Sequence, residues 1–145
     1  MRLVLQRVAR AAVRVDGETV GEIGRGLLVL AGVEQGDGPA AAAAAADRLA
    51  GLRCFEDAAG KMNLAAADAG AAFLVVSQFT LAADLSRGRR PSFTTAAPPA
   101  AAEPLVDALA ADLARRGFPV ATGRFGARME VELVNDGPVT FVLDV

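Results

Sequence analysis

Residues 27–33 read Leu-Leu-Val-Leu-Ala-Gly-Val, and this continuous apolar run decides the fold. The run is far shorter than the ~18 residues that a membrane-spanning helix needs, so it predicts a strand buried on both faces. Before it, residues 3–15 predict a strand, Asp16-Gly17 a tight hairpin turn, and residues 19–23 a returning strand. After it, residues 71–77 are apolar at their centre and predict a second buried strand.

Two helices are predicted, one between these buried strands and one after them. The first begins with Gly-Asp-Gly-Pro at residues 36–39, where Asp37 suits the N-cap position, and an alanine-rich run continues it. The second spans about residues 98–116, where leucines at i, i+4 spacing share one face. Pro104 lies inside that span, so the helix is expected either to begin near this proline or to kink there.

The remaining segments predict short strands and connections. Strands are expected at residues 54–56 and 120–122, a polar turn at 57–63, and a loop at 82–97. Alternating side chains predict two further strands at 129–133 and 141–143, and a turn must separate them because Pro138 cannot donate to a sheet ladder. The order of elements is typical of a single α+β domain over residues 1–145, with two helices and a mainly antiparallel sheet.

Composition excludes several classes of function. The 145-residue chain is 53% hydrophobic, which argues against disorder, and its net charge of −2 argues against a general RNA- or DNA-coating protein. It contains no histidine, so a Ser-His-Asp triad, a Cys-His pair and a histidine-based metal site are excluded. Cys54 is the only cysteine, and the sequence has neither a signal-peptide pattern nor a membrane span, which predicts a cytoplasmic protein.

A polar segment, Ser77-Gln78-Phe79-Thr80-Leu81, follows directly on the second buried strand. Polar groups at the end of such a strand are held by a rigid support and suit a functional site. Backbone N–H groups in the turn would stabilise a developing oxyanion without any titratable side chain. The alternative interpretation is ordinary turn capping, since short Ser/Thr clusters are common in turns.

A second segment, Asn135-Asp136-Gly137-Pro138-Val139-Thr140, lies between the last two predicted strands. Asn, Asp, Gly and Pro dominate turns, so a plain hairpin turn explains it. The sharper interpretation is a cis Gly137-Pro138 bond, which would fix two carbonyl oxygens in a rigid orientation.

Two other clusters suggest contacts to a substrate. Arg87, Arg89 and Arg90 lie on one predicted loop close to Phe93, and arginine beside an aromatic ring suits a phosphate and a stacked base. A solvated charged loop is the alternative. Phe125 and Met129 would wall a pocket, or else belong to the ordinary core.

Six segments taken together resemble the signature set of the D-aminoacyl-tRNA deacylases of bacteria and eukaryotes. They occur in order over essentially the whole chain, and the two segments around Ser77 and Gly137 are the most specific. The six are residues 6–8 (Gln-Arg-Val), 60–64 (Gly-Lys-Met-Asn-Leu), 77–81, 88–93 (Gly-Arg-Arg-Pro-Ser-Phe), 122–125 (Thr-Gly-Arg-Phe) and 135–140.

The resemblance implies the barrel-like fold of that family and a homodimeric hydrolase that acts at the 3′ end of aminoacyl-tRNA. Such an enzyme cleaves the ester of a D-amino acid, and of mischarged glycine, and spares the L-aminoacyl ester. Gly137-Pro138, in cis, would reach into the partner's pocket and hold the substrate's α-ammonium group, so that an L side chain clashes. Arg7 would hold this turn in position, and Phe125 and Met129 would contact substrate.

The resemblance also implies chemistry without a cofactor or a metal. The ribose 2′-hydroxyl of the substrate would assist attack, and backbone N–H groups near Ser77, Gln78 and Phe79 would bind the oxyanion. A covalent mechanism through Thr80 is less favoured, because no base is available to activate its hydroxyl. The alternatives left open are a noncatalytic RNA- or protein-binding module of the same fold, and a related deacylase with relaxed or reversed chirality and a trans Gly137-Pro138 bond.

Overall fold

The computed structural model of the protein describes residues 1–86 and 88–145. Over these residues the chain forms eight strands and two α-helices, with three strands before the first helix, three between the helices and two after the second. The strands are β1 (Arg2–Val15), β2 (Glu18–Ile23), β3 (Gly26–Gly32), β4 (Phe55–Glu56), β5 (Met62–Leu64), β6 (Ala72–Ser77), β7 (Val120–Thr122) and β8 (Glu130–Asp144). The helices are α1 (Pro39–Gly51) and α2 (Pro99–Arg115), and a 3-10 turn covers Phe79–Ala82.

The main sheet has the order β2-β1-β3-β6-β7, and β8 pairs with β1 along its other edge. Pairing is antiparallel for β1 with β2, β3 and β8, and parallel for β3 with β6 and for β6 with β7. The apolar run at residues 27–33 therefore lies at the centre, between β1 and β6, as the sequence predicted. The α+β architecture with a mainly antiparallel sheet is confirmed, and the two parallel pairs come from the helical crossovers.

Two apolar clusters stabilise the sheet, one on each face. Alternate residues of β3 and β6, such as Val29 and Phe73, pack against the leucines of α1 and α2. Their neighbours, such as Leu28 and Leu74, pack against Val13 in the second half of β1. A Cβ added at Gly21 of β2 would meet the Thr122 carbonyl oxygen of β7, so the sheet curls until its ends nearly close into a barrel.

Three local predictions are wrong. Gly38, not Asp37, is the N-cap of α1, because the Asp37 carboxylate accepts a hydrogen bond from the Glu34 N–H 2.7 Å away. Residues 57–63 are more than a turn, since β5 pairs back onto β4. Helix α2 begins at Pro99, so it does not begin near Pro104, which lies inside it on its exposed face.

The segment around Pro138 differs most from the sequence prediction. No hairpin turn separates two strands here, because both halves of β8 pair with the same strand, β1. In the register Gln6 faces Thr140 and Val8 faces Asn135, so residues 136–139 all lie opposite Arg7. The proline is accommodated by a bulge in an edge strand, where no ladder donor is needed.

No helix in the described ranges is both long and apolar enough to cross a membrane.

Candidate active site

A cavity of about 640 Å³ lies where β6 ends. Its walls come from the start of the polar segment, the beginning of α2 and the turn before β8. The lining residues are Val33, Val76, Ser77, Gln78, Phe79, Phe93, Ala96, Ala97, Pro98, Pro99, Ala102, Phe125, Gly126, Ala127, Met129 and Val131. The cavity is therefore mostly apolar, with a few polar groups at one end, as is usual for small-molecule sites.

The polar end of the cavity is fixed by the sheet. The Gln78 N–H donates to the Ala31 carbonyl oxygen at 2.8 Å, so it extends the β3–β6 pairing and is not free for a ligand, contrary to the sequence prediction. The chain then turns, and the Leu81 N–H donates to the Gln78 carbonyl oxygen at 3.2 Å. Among the described residues no acceptor pairs with the N–H groups of Phe79 or Thr80. These two backbone donors at a turn are available to an anion.

The side chains of this segment point in different directions. The Gln78 side chain donates through Nε2 to the Thr80 Oγ1 at 2.5 Å. Thr80 is exposed and does not line the cavity. Phe79, 55% exposed, packs edge-on against Phe93, with ring centroids 5.1 Å apart, so an accessible aromatic pair forms part of the wall.

No Asp, Glu, Lys, Arg or Cys lies among the described residues that line the cavity. Within the described chain there is also no group of three or more His, Cys, Asp or Glu side chains placed to hold a metal ion. Burial raises the pKa of the Cys54 thiol, which lies outside the cavity, so this cysteine is a poor nucleophile.

A second polar region centres on Arg7. Among the described residues it is the only charged side chain that is buried, at 4% exposure. Its Nη1 donates to the Cys54 carbonyl oxygen at 2.7 Å, and its Nε donates to the Asp136 carbonyl oxygen at 2.9 Å. The carboxylates of Asp136 and Glu56 lie 3.1 and 3.4 Å from its guanidinium nitrogens. Arg7 thus joins the β8 bulge to the loop after α1.

Asn135 fixes the bulge from the other side. Its Nδ2 donates to the Arg7 carbonyl oxygen at 2.9 Å and to the Val139 carbonyl oxygen at 3.1 Å. A Cβ added at Gly137 would meet the Asn135 Oδ1 and the Val139 backbone nitrogen, so only glycine fits there. The Gly137-Pro138 bond is cis, and both residues are exposed.

The structure separates the predicted site residues into two groups. Ser77, Gln78, Phe79, Phe125 and Met129 come together around the cavity. Arg7, Gly137 and Pro138 form the β8 bulge and do not line the cavity of their own chain. The sequence interpretation did not include Val33 or the start of α2 in the cavity wall. For the start of α2, the Pro98-Pro99 pair was the signal that could have been used.

The predicted arginine loop is placed only in part. Arg89 and Arg90 are exposed and lie between Asp84 and Ser92, which form an antiparallel bridge. The Asp84 N–H donates to the Ser92 carbonyl oxygen at 2.8 Å. Hydrogen bonds from Ser86 lower the pKa of the Asp84 carboxyl, so this acid caps its own turn. Arg87 lies outside the described residues.

Comparison with known proteins identifies the family of this chain. The family model described as D-Tyr-tRNA(Tyr) deacylase matches residues 4–144. A protein of Anaeromyxobacter dehalogenans (strain 2CP-C) named D-aminoacyl-tRNA deacylase is 60% identical over 144 residues, 99% of this chain and 97% of that protein. The solved structure of a c-Myc DNA Unwinding Element Binding Protein superposes with a TM-score of 0.94 at 38% identity, covering 100% of this chain and 99% of its own.

A more distant structure agrees in fold alone. It is described as a probable eukaryotic D-amino acid tRNA deacylase, with a TM-score of 0.83 at 18% identity over 99% of this chain and 98% of its own. The family match and the 60% identical relative both span nearly the whole chain. This protein therefore belongs to the D-Tyr-tRNA(Tyr) deacylase family.

Proposed function

We propose that the protein is a D-aminoacyl-tRNA deacylase that hydrolyses the ester between a D-amino acid and the terminal adenosine of tRNA, acting in the cytoplasm. The observation that carries the proposal is the cavity at the end of β6, in a chain of this family. Its described lining has no charged side chain, and the Phe79 and Thr80 N–H groups just after β6 have no acceptor among the described residues. An oxyanion held by backbone N–H groups needs no titratable residue. The Phe79 and Thr80 N–H groups are the proposed donors.

The nucleophile is proposed to be water, assisted by the ribose 2′-hydroxyl of the substrate. The lining supplies no base among its described residues, so the proton must leave through the substrate or solvent. Thr80 is the side-chain alternative, but its hydroxyl accepts from the Gln78 amide and has no hydrogen bond to a base among the described residues. Each well-placed backbone donor would contribute on the order of 3 kcal/mol to transition-state binding.

Chirality is proposed to be read by the β8 bulge of a second protomer. Gly137 and Pro138 are exposed and held by Arg7 and Asn135, but they do not line the cavity of their own chain. In a homodimer their carbonyl oxygens would enter the partner's cavity and hold the α-ammonium group. An L side chain would then clash with the bulge, whereas a D side chain would point away and glycine would be accepted.

The surface of β8 supports such a dimer. Within the described chain β8 pairs only with β1, so its outer edge is open. Val142 on β8 is 67% exposed, and its register partner Val4 in turn faces Leu30 of β3. These apolar side chains form a row that runs across the sheet from the edge strand β8 through β1 to β3, which is a suitable dimer contact.

The direct test compares D-Tyr-tRNA with L-Tyr-tRNA. The protein is expected to release D-tyrosine and to spare the L-aminoacyl ester, and hydrolysis of both at equal rates, or of neither, would contradict the proposal. A substrate that ends in 2′-deoxyadenosine should react very slowly. Normal turnover of that substrate would rule out assistance by the 2′-hydroxyl.

A noncatalytic nucleic-acid-binding module is the second candidate. It is favoured by one observation, the likeness at 38% identity to a protein named as a DNA unwinding element binding protein. The net charge of −2 disfavours general DNA binding. A Pro138 substitution separates the two candidates, because it would change product release from an enzyme but only the affinity of a binding module.

A further inference from the structure

The cavity lies between two stretches of chain that contain no acidic residue. Residues 85–102 have no Asp or Glu and carry three arginines, and residues 113–129 have no Asp or Glu and carry four. These stretches supply ten of the lining residues, from Phe93 to Ala102 and from Phe125 to Met129. In a chain with a net charge of −2, these stretches carry a local excess of positive charge in the sequence, next to the residues that line the cavity.

Two arginines of the second stretch stand out by position. Arg124 and Arg128 alternate with the lining residues Phe125, Ala127 and Met129, and both are exposed. The remaining two of that stretch, Arg115 and Arg116, are paired with Asp112 and Asp47 at the end of α2. Only Arg124 and Arg128 of this stretch therefore flank the cavity wall.

Arg124 and Arg128 also lack carboxylate partners among the described residues. Six other arginines form ion pairs there, namely Arg2, Arg7, Arg10, Arg14, Arg115 and Arg116. Arg25 stacks over the Phe55 ring, and Arg53 donates to the Asn63 carbonyl oxygen. The nearest acid in sequence, Glu130, faces Arg14 in the register of β1 and β8.

The turn that carries these arginines is held firmly. The Gly123 N–H donates to the Val75 carbonyl oxygen at 3.0 Å, which ties the turn to β6 beside the proposed oxyanion donors. The Ala127 N–H donates to the Arg124 carbonyl oxygen at 3.2 Å and closes the turn. Met129 packs so closely over Gly123 that an added Cβ would lie 2.7 Å from its sulfur. The backbone that carries the two arginines is therefore fixed relative to the cavity.

We propose that Arg124 and Arg128 bind backbone phosphates of the single-stranded RNA 3′ end, opposite the loop that carries Arg89 and Arg90, so that the cavity mouth has a two-sided phosphate clamp. This inference rests on the proposed function and extends it to the part of the substrate beyond the terminal nucleoside. Guanidinium groups bind phosphate oxygens with directed hydrogen bonds. The uncharged cavity receives the aminoacyl adenosine, while the charged rim holds the strand that leads to it.

The test uses Arg124→Gln, Arg128→Gln and the double variant, with Arg48→Gln as a matched control. Arg48 is exposed in the last turn of α1 and lies in neither stretch, and α1 contributes nothing to the described cavity lining. Each protein is assayed on D-Tyr-tRNA between 50 and 200 mM salt, and on the D-tyrosyl ester of adenosine, which has no phosphate.

Each rim substitution should lower kcat/KM for D-Tyr-tRNA at 50 mM salt by about threefold or more, mainly through KM, and the double variant by about tenfold. Each should also reduce the salt slope by about 0.7, the value for one phosphate on a single strand. Hydrolysis of the adenosine ester should not change. The control Arg48→Gln should match the wild type on both substrates.

The proposal is overturned if the rim variants match the control on D-Tyr-tRNA, or if they lower turnover of both substrates equally, which would indicate a structural role. A wild-type protein that hydrolyses neither substrate would instead refute the proposed function. In that case the salt dependence of binding to uncharged tRNA tests the clamp by itself, with the same expected loss in the double variant and with equal binding as the contrary result.

Discussion

The two polar segments of the candidate site, residues 77–81 and 135–140, are held in place in opposite ways. Residues 77–81 follow a central parallel strand, and the segment is fixed by the sheet through the Gln78 N–H. Residues 135–140 interrupt an edge strand, and that segment is fixed by side chains, Arg7 on one side and Asn135 on the other. The first presents N–H donors at a cavity, whereas the second presents an exposed glycine and proline away from its own cavity.

This difference would allow one chain to hold both functions that the proposed proofreading activity needs. Attack on the ester requires rigid donors, which a buried strand supplies. Discrimination, as proposed, would require a projecting group that another protomer's cavity receives, and the bulge in the edge strand β8 would supply that group. Side-chain substitutions should therefore affect the two segments differently, because the edge segment depends on side chains and the central segment does not.

Arg7→Ala is expected to have the largest effect, because the bulge depends on this one buried side chain. The substitution leaves the Cys54 and Asp136 carbonyl oxygens without their donor, which should lower the free energy of unfolding by about 3 kcal/mol. Discrimination between D- and L-Tyr-tRNA should fall at the same time. Thermal or urea unfolding measures the first effect, and paired deacylation assays measure the second.

The control for Arg7 is Arg10→Ala on the same strand. The Arg10 side chain is 60% exposed and pairs only with Glu132 at 3.4 Å, so the change in stability should be small. Equal effects of the two substitutions would contradict the role given to Arg7.

Gly137→Ala should alter selectivity more than stability. The new Cβ would meet the Asn135 side chain and the Val139 nitrogen, so the bulge must shift. A displacement of about 1 Å at a positioning group can cost about 100-fold, and a loss of that size is expected in the ratio of D- to L-Tyr-tRNA turnover. Gly24→Ala is the matched control, since a Cβ there has nothing within 4 Å. An unchanged ratio in Gly137→Ala would argue against the bulge as the chirality gate.

Thr80→Val tests whether the central segment acts through its backbone. If the backbone N–H groups bind the oxyanion, loss of the Thr80 hydroxyl should reduce kcat by less than about tenfold. The hydrogen bond with the Gln78 amide is lost in this variant, which accounts for a small effect. A loss of about 1,000-fold or more would instead favour Thr80 as a covalent nucleophile.

Glu132→Gln should have the smallest effect. It tests the contact between β8 and β1 without changing the bulge. The hydrogen bond with Arg14 lowers the pKa of Glu132, so the folded state favours the carboxylate. This contribution is present above the ordinary pKa of a glutamate and disappears as the pH falls through the lowered value. Wild type and variant should therefore differ slightly in unfolding temperature at pH 7 and converge in acid. A difference that grows in acid would contradict this assignment.

Much of the fold could be predicted from the sequence, because its signals are local. Apolar runs, the Asp16-Gly17 turn and the leucine spacing of α2 all act within a few residues, and each element was found near its predicted place. Pairing was harder to predict, because the parallel alignment of β3, β6 and β7 depends on how the helices cross the sheet. The continuity of β8 across Pro138 was missed because only the register with β1 reveals it.

The site was predictable in its parts but not in its arrangement. The polar segments were identified from their residues, and Phe125 and Met129 do line the cavity beside Ser77. The Gln78 N–H was assigned to the oxyanion, but the sheet uses it to pair with Ala31. That error arose because the end of a strand pair cannot be located from one strand alone.

The central claim is that each active site combines the cavity of one chain with the β8 bulge of the other. Subunit complementation tests this claim most directly. One chain carries Gly137→Ala, which breaks the gate, and the other carries Ala127→Trp, which fills the cavity. A purified heterodimer would contain one intact site, made of the open cavity of the first chain and the intact bulge of the second.

The account predicts that this heterodimer hydrolyses D-Tyr-tRNA and spares L-Tyr-tRNA at about half the wild-type rate per dimer, since one of the two symmetric sites is intact. Each homodimer of the variant chains should fail, one in selectivity and the other in activity. A heterodimer as unselective as the Gly137→Ala protein would show that each chain supplies its own gate, which would contradict the account.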